Sequence, residues 1–251
     1  MSTATVSTVR HYPCEKCPLR VFPHLQPHQR EEVKFLSGFK TGELVVDAGT
    51  TVLMEGTNSA HLFTVLSGWG FRYKTLEDGR RQILNYVLPG DLAGLQGSLM
   101  KEMSHSFETL SPMILCVFQR DKLPTLFGAF PNLAYDITWI ASREEQMLDE
   151  ILLSVGRRTA LERAAYLFAF LYQRARSVGM VKDDKLIIPL RQQHVADTLG
   201  LSIVHTNKTL KKLAGLGALQ WLDRGCEVKN EQALLNVSRW SGMTSVPRPY
   251  V

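Results

Sequence analysis

The stretch RQQHVADTLGLSIVHTNKTLKKLAGLGAL, Arg191 to Leu219, decides the fold of the C-terminal part of the chain. Its apolar spacing predicts a short helix over Gln192–Leu199 with Val195 and Leu199 buried. Gly200 stands where a tight turn needs a residue without a side chain. Leu201 follows as a core plug and Ser202 as an N-cap. A second helix over Ile203–Leu213 turns Ile203, Thr206, Leu210 and Leu213 inward. Its other faces carry His205, Asn207, Lys208, Lys211 and Lys212, which can donate to base edges or phosphates in a major groove. Gly215–Gly217 ends that helix. Leu219–Leu222, the turn Asp223-Arg224-Gly225 and Cys226–Val228 then read as a hairpin wing. The plainer alternative is a helical hairpin with a charged surface. The spacing of Ala196, Gly200 and Leu201, the basic helix and the hairpin favour a winged helix-turn-helix.

Charge supports this. The 251 residues carry a net +5, but residues 1–150 hold 14 Lys plus Arg against 17 Asp plus Glu, and residues 151–251 hold 15 against 7. The basic excess therefore lies in the last 101 residues, beside the helix-turn-helix, as expected of a nucleic-acid-binding domain. An apolar content of 45% suffices for a real core. No apolar run approaches the roughly 18 residues that a membrane span needs. Four cysteines are too few for a disulfide scaffold, and Met1 to Arg10 lacks the apolar core of a secretory signal. A cytoplasmic protein with reduced thiols and no membrane partner is expected.

Upstream, the texture is that of a β-domain. Gln29 to Phe39 reads as a short helix. Short apolar runs follow at Leu44–Val46, Thr51–Met54, Leu62–Leu66, Phe71–Lys74, Gln82–Val87 and Ile114–Phe118, separated by glycine-bearing turns, which is the pattern of a sandwich or barrel. After Pro131 the period becomes helical, with Leu133, Ile137, Ile140, Ala141, Met147, Leu148, Ile151 and Val155 in one stripe that Glu144 interrupts. A single helix over residues 132–155 would be roughly 35 Å long and needs a partner surface, either its own domain or its twin in a dimer. Arg157 to Arg176 is a further helix, and Leu186–Leu190 a short strand.

These parts, in this order, resemble the Crp/Fnr regulators over nearly the whole chain. Leu62 to Gly68 is similar to that family's strand ending in Ser-Gly, and Pro89-Gly90-Asp91 to its Pro-Gly-Asp turn. The resemblance implies an α+β fold: an N-terminal cyclic-nucleotide-binding-like β-barrel (jelly roll), a long dimerisation helix and a C-terminal winged helix-turn-helix. The expected domains are an N-terminal cysteine-containing segment (1–30), an effector or sensor barrel (31–130), the dimerisation helix (131–156) and the DNA-binding domain (157–251). The family members are homodimeric transcription factors on palindromic double-stranded DNA, so DNA, a second copy of the chain and RNA polymerase are the implied partners. Two family positions that read bases fall here on Val204 and Lys208, and His205 with Asn207 resembles a Val-His-x-Asn-basic branch. The expected DNA-binding residues are Arg191, Ser202, Val204, His205, Asn207, Lys208, Lys211 and Lys212. His194 is read as facing solvent or a phosphate.

The resemblance also bears on the effector. The cyclic-nucleotide branch needs a Glu for the ribose and an Arg for the phosphate; the matching positions are Leu95 and His105. A buried phosphate without that Arg lacks its bidentate partner, which argues against cyclic nucleotide. Cys14-Glu15-Lys16-Cys17 and Cys116 instead resemble the cysteine placement of FNR-type oxygen sensors, which implies three thiolate ligands for a [4Fe–4S] cluster. A third N-terminal cysteine of that pattern falls on Pro23, so three of four ligands match, and His11, His24 and His28 are the nearest substitutes. A redox dithiol, a zinc site, a vestigial site and a plain core role for Cys116 remain alternatives. A barrel metalloenzyme would need clustered His and carboxylate ligands on the strands, and no His-x-His spacing occurs there. The chain is expected to be a regulator, not an enzyme.

Overall fold

The computed structural model describes residues 12–244 and 246–251. The chain forms two compact units: one runs to Lys74 and adds Tyr86–Glu145 and Val246–Val251, the other holds Thr75–Asn85 and Gln146–Ser245.

In the first unit, single 3-10 turns at Cys14–Lys16 and Pro18–Val21 precede α1 (Arg30–Phe39). Along the chain from residue 40 to 119 the strands are β1 (Lys40–Val46), β2 (Thr51–Leu53), β3 (His61–Ser67), β4 (Gly70–Thr75), β5 (Arg81–Val87, of which Arg81–Asn85 belong to the second unit), β6 (Leu92–Ala93), then, after helix α2 (Leu95–Met100), β7 (Ser106–Thr109) and β8 (Met113–Gln119). They make two four-stranded sheets, β1-β8-β3-β6 and β2-β7-β4-β5. Six of the eight strands match the short apolar runs. The two-residue β6 and the polar β7 lack a period strong enough to read.

Alternation along β8 explains how the sheet is covered. Met113 and Leu115 join Val65, Phe107 and Val46 in one buried cluster. Cys116 and Phe118 belong to a second, with Leu36 and Phe39 of α1, Leu126 of α3 (Leu123–Ala129), and Leu133, Ile137 and Ile140 of α4 (Pro131–Arg157). Each fully buried large side chain contributes about 1.5–3 kcal/mol. The Ser67-Gly68 turn needs its glycine, because a Cβ there would lie 2.4 Å from the Pro112 carbonyl oxygen.

Glu144 does interrupt the α4 stripe, and the reason is visible: its carboxylate accepts from Arg72 of β4. Leu148 does not belong with the buried stripe. It is 38% exposed and Leu152 73%, so a second apolar stripe on α4 faces outward.

In the second unit α5 spans Ala160–Ser177. It starts three residues later than Arg157 because Thr159 and Glu162 form a reciprocal cap, with Thr159 N–H donating to Glu162 at 2.8 Å. The unit continues with β9 (Ile187–Ile188), α6 (Gln192–Leu199), α7 (Ile203–Gly215), β10 (Leu219–Leu222), β11 (Gly225–Val228) and α8 (Glu231–Ser238). The three strands pair in the order β10-β11-β9. Helix α8 was not legible as a periodic stripe, although Asn230 caps it through Ala233 N–H at 2.9 Å.

Candidate DNA interface and cysteine cavity

The helix-turn-helix forms as its sequence demands. Gly200 takes φ +64°, a left-handed value that suits glycine, and ends α6. Ser202 caps α7 through His205 N–H at 3.3 Å. Val195, Leu199, Leu210 and Leu213 are buried. Two inward assignments are corrected. Ile203, the first residue of α7, is 39% exposed, and the buried stripe starts one turn later at Thr206. Leu201 is only half-buried.

Val204, His205, Lys208, Lys211 and Lys212 are all exposed. His205, Lys208 and Lys212 follow steps of three and four, and so do Val204, Lys208 and Lys211, so they share one side of α7. Asn207 is half-buried, and its Oδ1 is enclosed without a hydrogen-bond partner. Arg191 is exposed at the start of α6. His194 corrects its solvent-facing assignment: it is half-buried, and its Nδ1 accepts from Arg191 N–H at 3.1 Å. Burial, then the charges of Arg81 and Arg191, push its pKa down to about 4, so it is a neutral acceptor at pH 7.

No local pattern marks the residues that brace this motif. Arg163 of α5 donates to the Leu199 carbonyl at 3.0 Å, at the C-terminal end of α6 where carbonyls lack partners. Arg81 pairs with Asp197 at 2.8 Å, and Gln82 donates to the Thr198 carbonyl at 2.9 Å. They come from distant parts of the chain and carry no local period.

In the first unit, Cys14, Cys17 and Cys116 line one cavity together with His28, Thr64, Tyr250 and Val251. Cys116 arrives on β8. The CxxC segment is fastened to β1 by Tyr12, whose N–H donates to Glu43 at 2.7 Å and whose carbonyl accepts from Lys40 at 2.7 Å. Burial raises the pKa of all three thiols, Cys116 to about 12, against an opposing pull from the Lys40 ammonium. They are therefore protonated in this arrangement. Of the histidines considered as a fourth ligand, His11 lies outside the described residues, and His24 does not line the cavity. His28 does, its Nε2 is buried without a hydrogen-bond partner, and burial lowers its pKa.

The donor types suit a soft metal or a metal–sulfur cluster, but the arrangement does not. No three His, Cys, Asp or Glu side chains among the described residues are placed to hold a metal ion. The cavity volume is about 30 Å³, room for one or two waters. Cys226, in the wing, is buried apart from these three.

At the position that holds a phosphate-binding Arg in the cyclic-nucleotide branch, His105 is buried, and burial followed by the charges of Arg72 and Lys74 brings its pKa to about 4. It offers no positive charge at neutral pH.

A two-sheet β-domain, a long helix and a winged helix-turn-helix with a basic exposed face define a DNA-binding transcription regulator. Residues 43–129 match the cyclic nucleotide-binding domain family and residues 162–237 the Crp-like helix-turn-helix domain family. The nitrogen fixation regulation protein FixK of Bradyrhizobium diazoefficiens is 31% identical over 180 residues, 71% of this chain and 74% of that one. The transcriptional activator protein FnrL of Cereibacter sphaeroides is 25% identical over 87% of this chain and 88% of its own. The solved structure of FixK2 from Bradyrhizobium japonicum superposes with a TM-score of 0.67 at 24% identity, covering 82% of this chain and 99% of that one. The chain belongs to the Crp/Fnr family of transcription regulators. No helix of the described residues is long and apolar enough to cross a membrane.

Proposed function

We propose that this regulator binds a two-fold symmetric operator as a homodimer and that its cysteine cavity answers to oxygen or redox state. The observation that carries the second part is the convergence of Cys14 and Cys17 with Cys116, from distant parts of the first unit's sequence, on one cavity. The name of one relative points the same way: an anaerobic regulatory protein of Pasteurella multocida is 26% identical over 179 residues. The neutral, buried His105 speaks against cyclic nucleotide as the effector.

In the DNA reading, Lys208, His205 and Asn207 read or position base edges, with Val204 placed to meet a thymine methyl. Arg191, Ser202, Lys211 and Lys212 hold phosphates, which fix register without reading sequence. The exposed Leu148 and Leu152 on α4 suit a twin helix. RNA polymerase is the family's expected downstream partner, and the cytoplasm the expected compartment.

Two redox chemistries use the three thiols. One is ligation of a [4Fe–4S] cluster, which the resemblance to FNR-type sensors implies and the described arrangement does not fit. The other is a dithiol switch, in which two thiols lose two protons and two electrons to form a disulfide. Anaerobic purification followed by an absorbance spectrum and iron, sulfide and zinc analysis separates them. A band near 400 nm with matching iron and sulfide, lost in air, establishes the cluster. Colourless, iron-free protein with a reversible disulfide establishes the switch. Selection of binding sites from random duplex DNA tests the operator: the proposal expects two-fold symmetric sites, and asymmetric ones contradict it.

A further inference from the structure

The residues Val246–Val251 follow the DNA-binding unit in sequence but belong to the sensor unit. Their attachment there is extensive. Leu25 and Arg248 form a parallel bridge, with Gln26 N–H donating to the Arg248 carbonyl and Arg248 N–H to the His24 carbonyl, each at 2.9 Å. The Arg248 guanidinium pairs with Asp91 at 2.9 Å and donates to the Pro89 carbonyl at 2.7 Å. Thr64, in the centre of β3, donates its hydroxyl to a main-chain oxygen of Val251. The Tyr250 ring lies 4.6 Å from that of His28. Tyr250 and Val251 are 4% and 6% exposed and pack in the same apolar cluster as Cys14, Cys17 and Cys116.

This explains why a cavity with three thiols and an unpartnered imidazole nitrogen has so little room. The missing space is filled by Tyr250 and Val251. A segment that only needed an anchor has that already in the Arg248 contacts on the surface turn at Pro89–Asp91.

We propose that Val246–Val251 is a latch over the cysteine cavity, and that it has to leave before Cys116, which is buried while Cys14 and Cys17 are half-buried, can be reached by a thiol-directed reagent. This rests on, and deepens, the reading of the cavity as the responsive site. Release is local, because the segment is six residues long and segments of that size open without global unfolding.

The test is alkylation of the full reduced chain by N-ethylmaleimide, followed residue by residue by peptide mass spectrometry, in wild type, Arg248→Ala and Tyr250→Ala. Cys226, buried in the other unit, is the internal control. The latch predicts that Cys116 reacts at least about tenfold faster in both variants while Cys226 is unchanged. An unchanged rate at Cys116 overturns it. Should Tyr250→Ala speed Cys226 as well, the fold as a whole has loosened, and Thr64→Val decides: it removes one hydroxyl of the attachment, and the Cys116 rate must still rise above that of Cys226. Failure of the redox reading looks different, because alkylation rates report the cover whatever signal the thiols serve.

Discussion

Asp91 and Arg248, 157 residues apart in the sequence, meet at 2.9 Å. The same Asp91 carboxylate accepts from Leu88 N–H at 2.7 Å and is almost wholly buried. One acidic side chain thus shapes the Pro89-Gly90 turn and anchors the returning end of the chain. Removing it leaves a largely enclosed guanidinium without its charge partner. Asp91→Ala is expected to lower the unfolding free energy by about 3 kcal/mol, read from urea denaturation. A loss below about 0.5 kcal/mol contradicts this role for the pair.

Gly68 has φ +95° as well as the close approach of the Pro112 carbonyl, so both backbone and space refuse a side chain. Gly68→Ala should cost about 2–4 kcal/mol and lower the melting temperature by several degrees. A variant as stable as the wild type would show that the β3–β4 turn yields easily.

His105 links stability to pH. Its folded pKa of about 4 lies below the ordinary 6.5. Between those values the unfolded chain binds a proton that the folded chain refuses, so stability is full above pH 6.5 and falls as pH drops toward 4. This residue contributes up to about 3 kcal/mol to that loss, and His194 acts in the same direction. In denaturation series from neutral pH to about pH 4, His105→Gln should flatten the acid slope. An unchanged slope means that His105 does not titrate in that window.

On DNA, Lys211→Ala and Lys212→Ala should each reduce the slope of log affinity against log salt by about one, with little change in sequence preference. Lys208→Ala should cost about 1–3 kcal/mol and relax preference at one operator position. Fluorescence anisotropy over a salt series reads both effects. Lys208→Ala with unchanged affinity removes it from the interface.

Leu152→Asp tests the twin-helix pairing. Burying a leucine contributes about 1.5–3 kcal/mol, so the dimer dissociation constant should rise at least about tenfold by analytical ultracentrifugation. An unaffected constant moves the dimer contact off this face of α4.

The helix-turn-helix was legible because each of its parts is local. The stripe at Val195, Leu199, Leu210 and Leu213, the turn glycine and the serine cap all lie within a few residues of one another. The β-domain was legible as alternating runs and turns. The cavity was not. That Cys14, Cys17 and Cys116 converge could only be borrowed from a resemblance, because it depends on how β8 pairs with β1 and on where the CxxC segment is fastened. Tyr250 and Val251 reach the same place through a contact that spans 187 residues, to Thr64, and nothing in their neighbourhood announces it. His194 misled for a related reason: a polar residue at the start of a helix reads as solvent-facing until the N–H it accepts from is known.

In the proposed function the cysteine cavity governs DNA binding. The most direct measurement is the affinity of the full chain for a selected operator, first with excess reductant and then after exposure to air, in the wild type and in Cys116→Ser. The wild-type affinity should differ by at least about tenfold between the two states, and the difference should be lost in the variant. Equal wild-type affinities in the two states would contradict it.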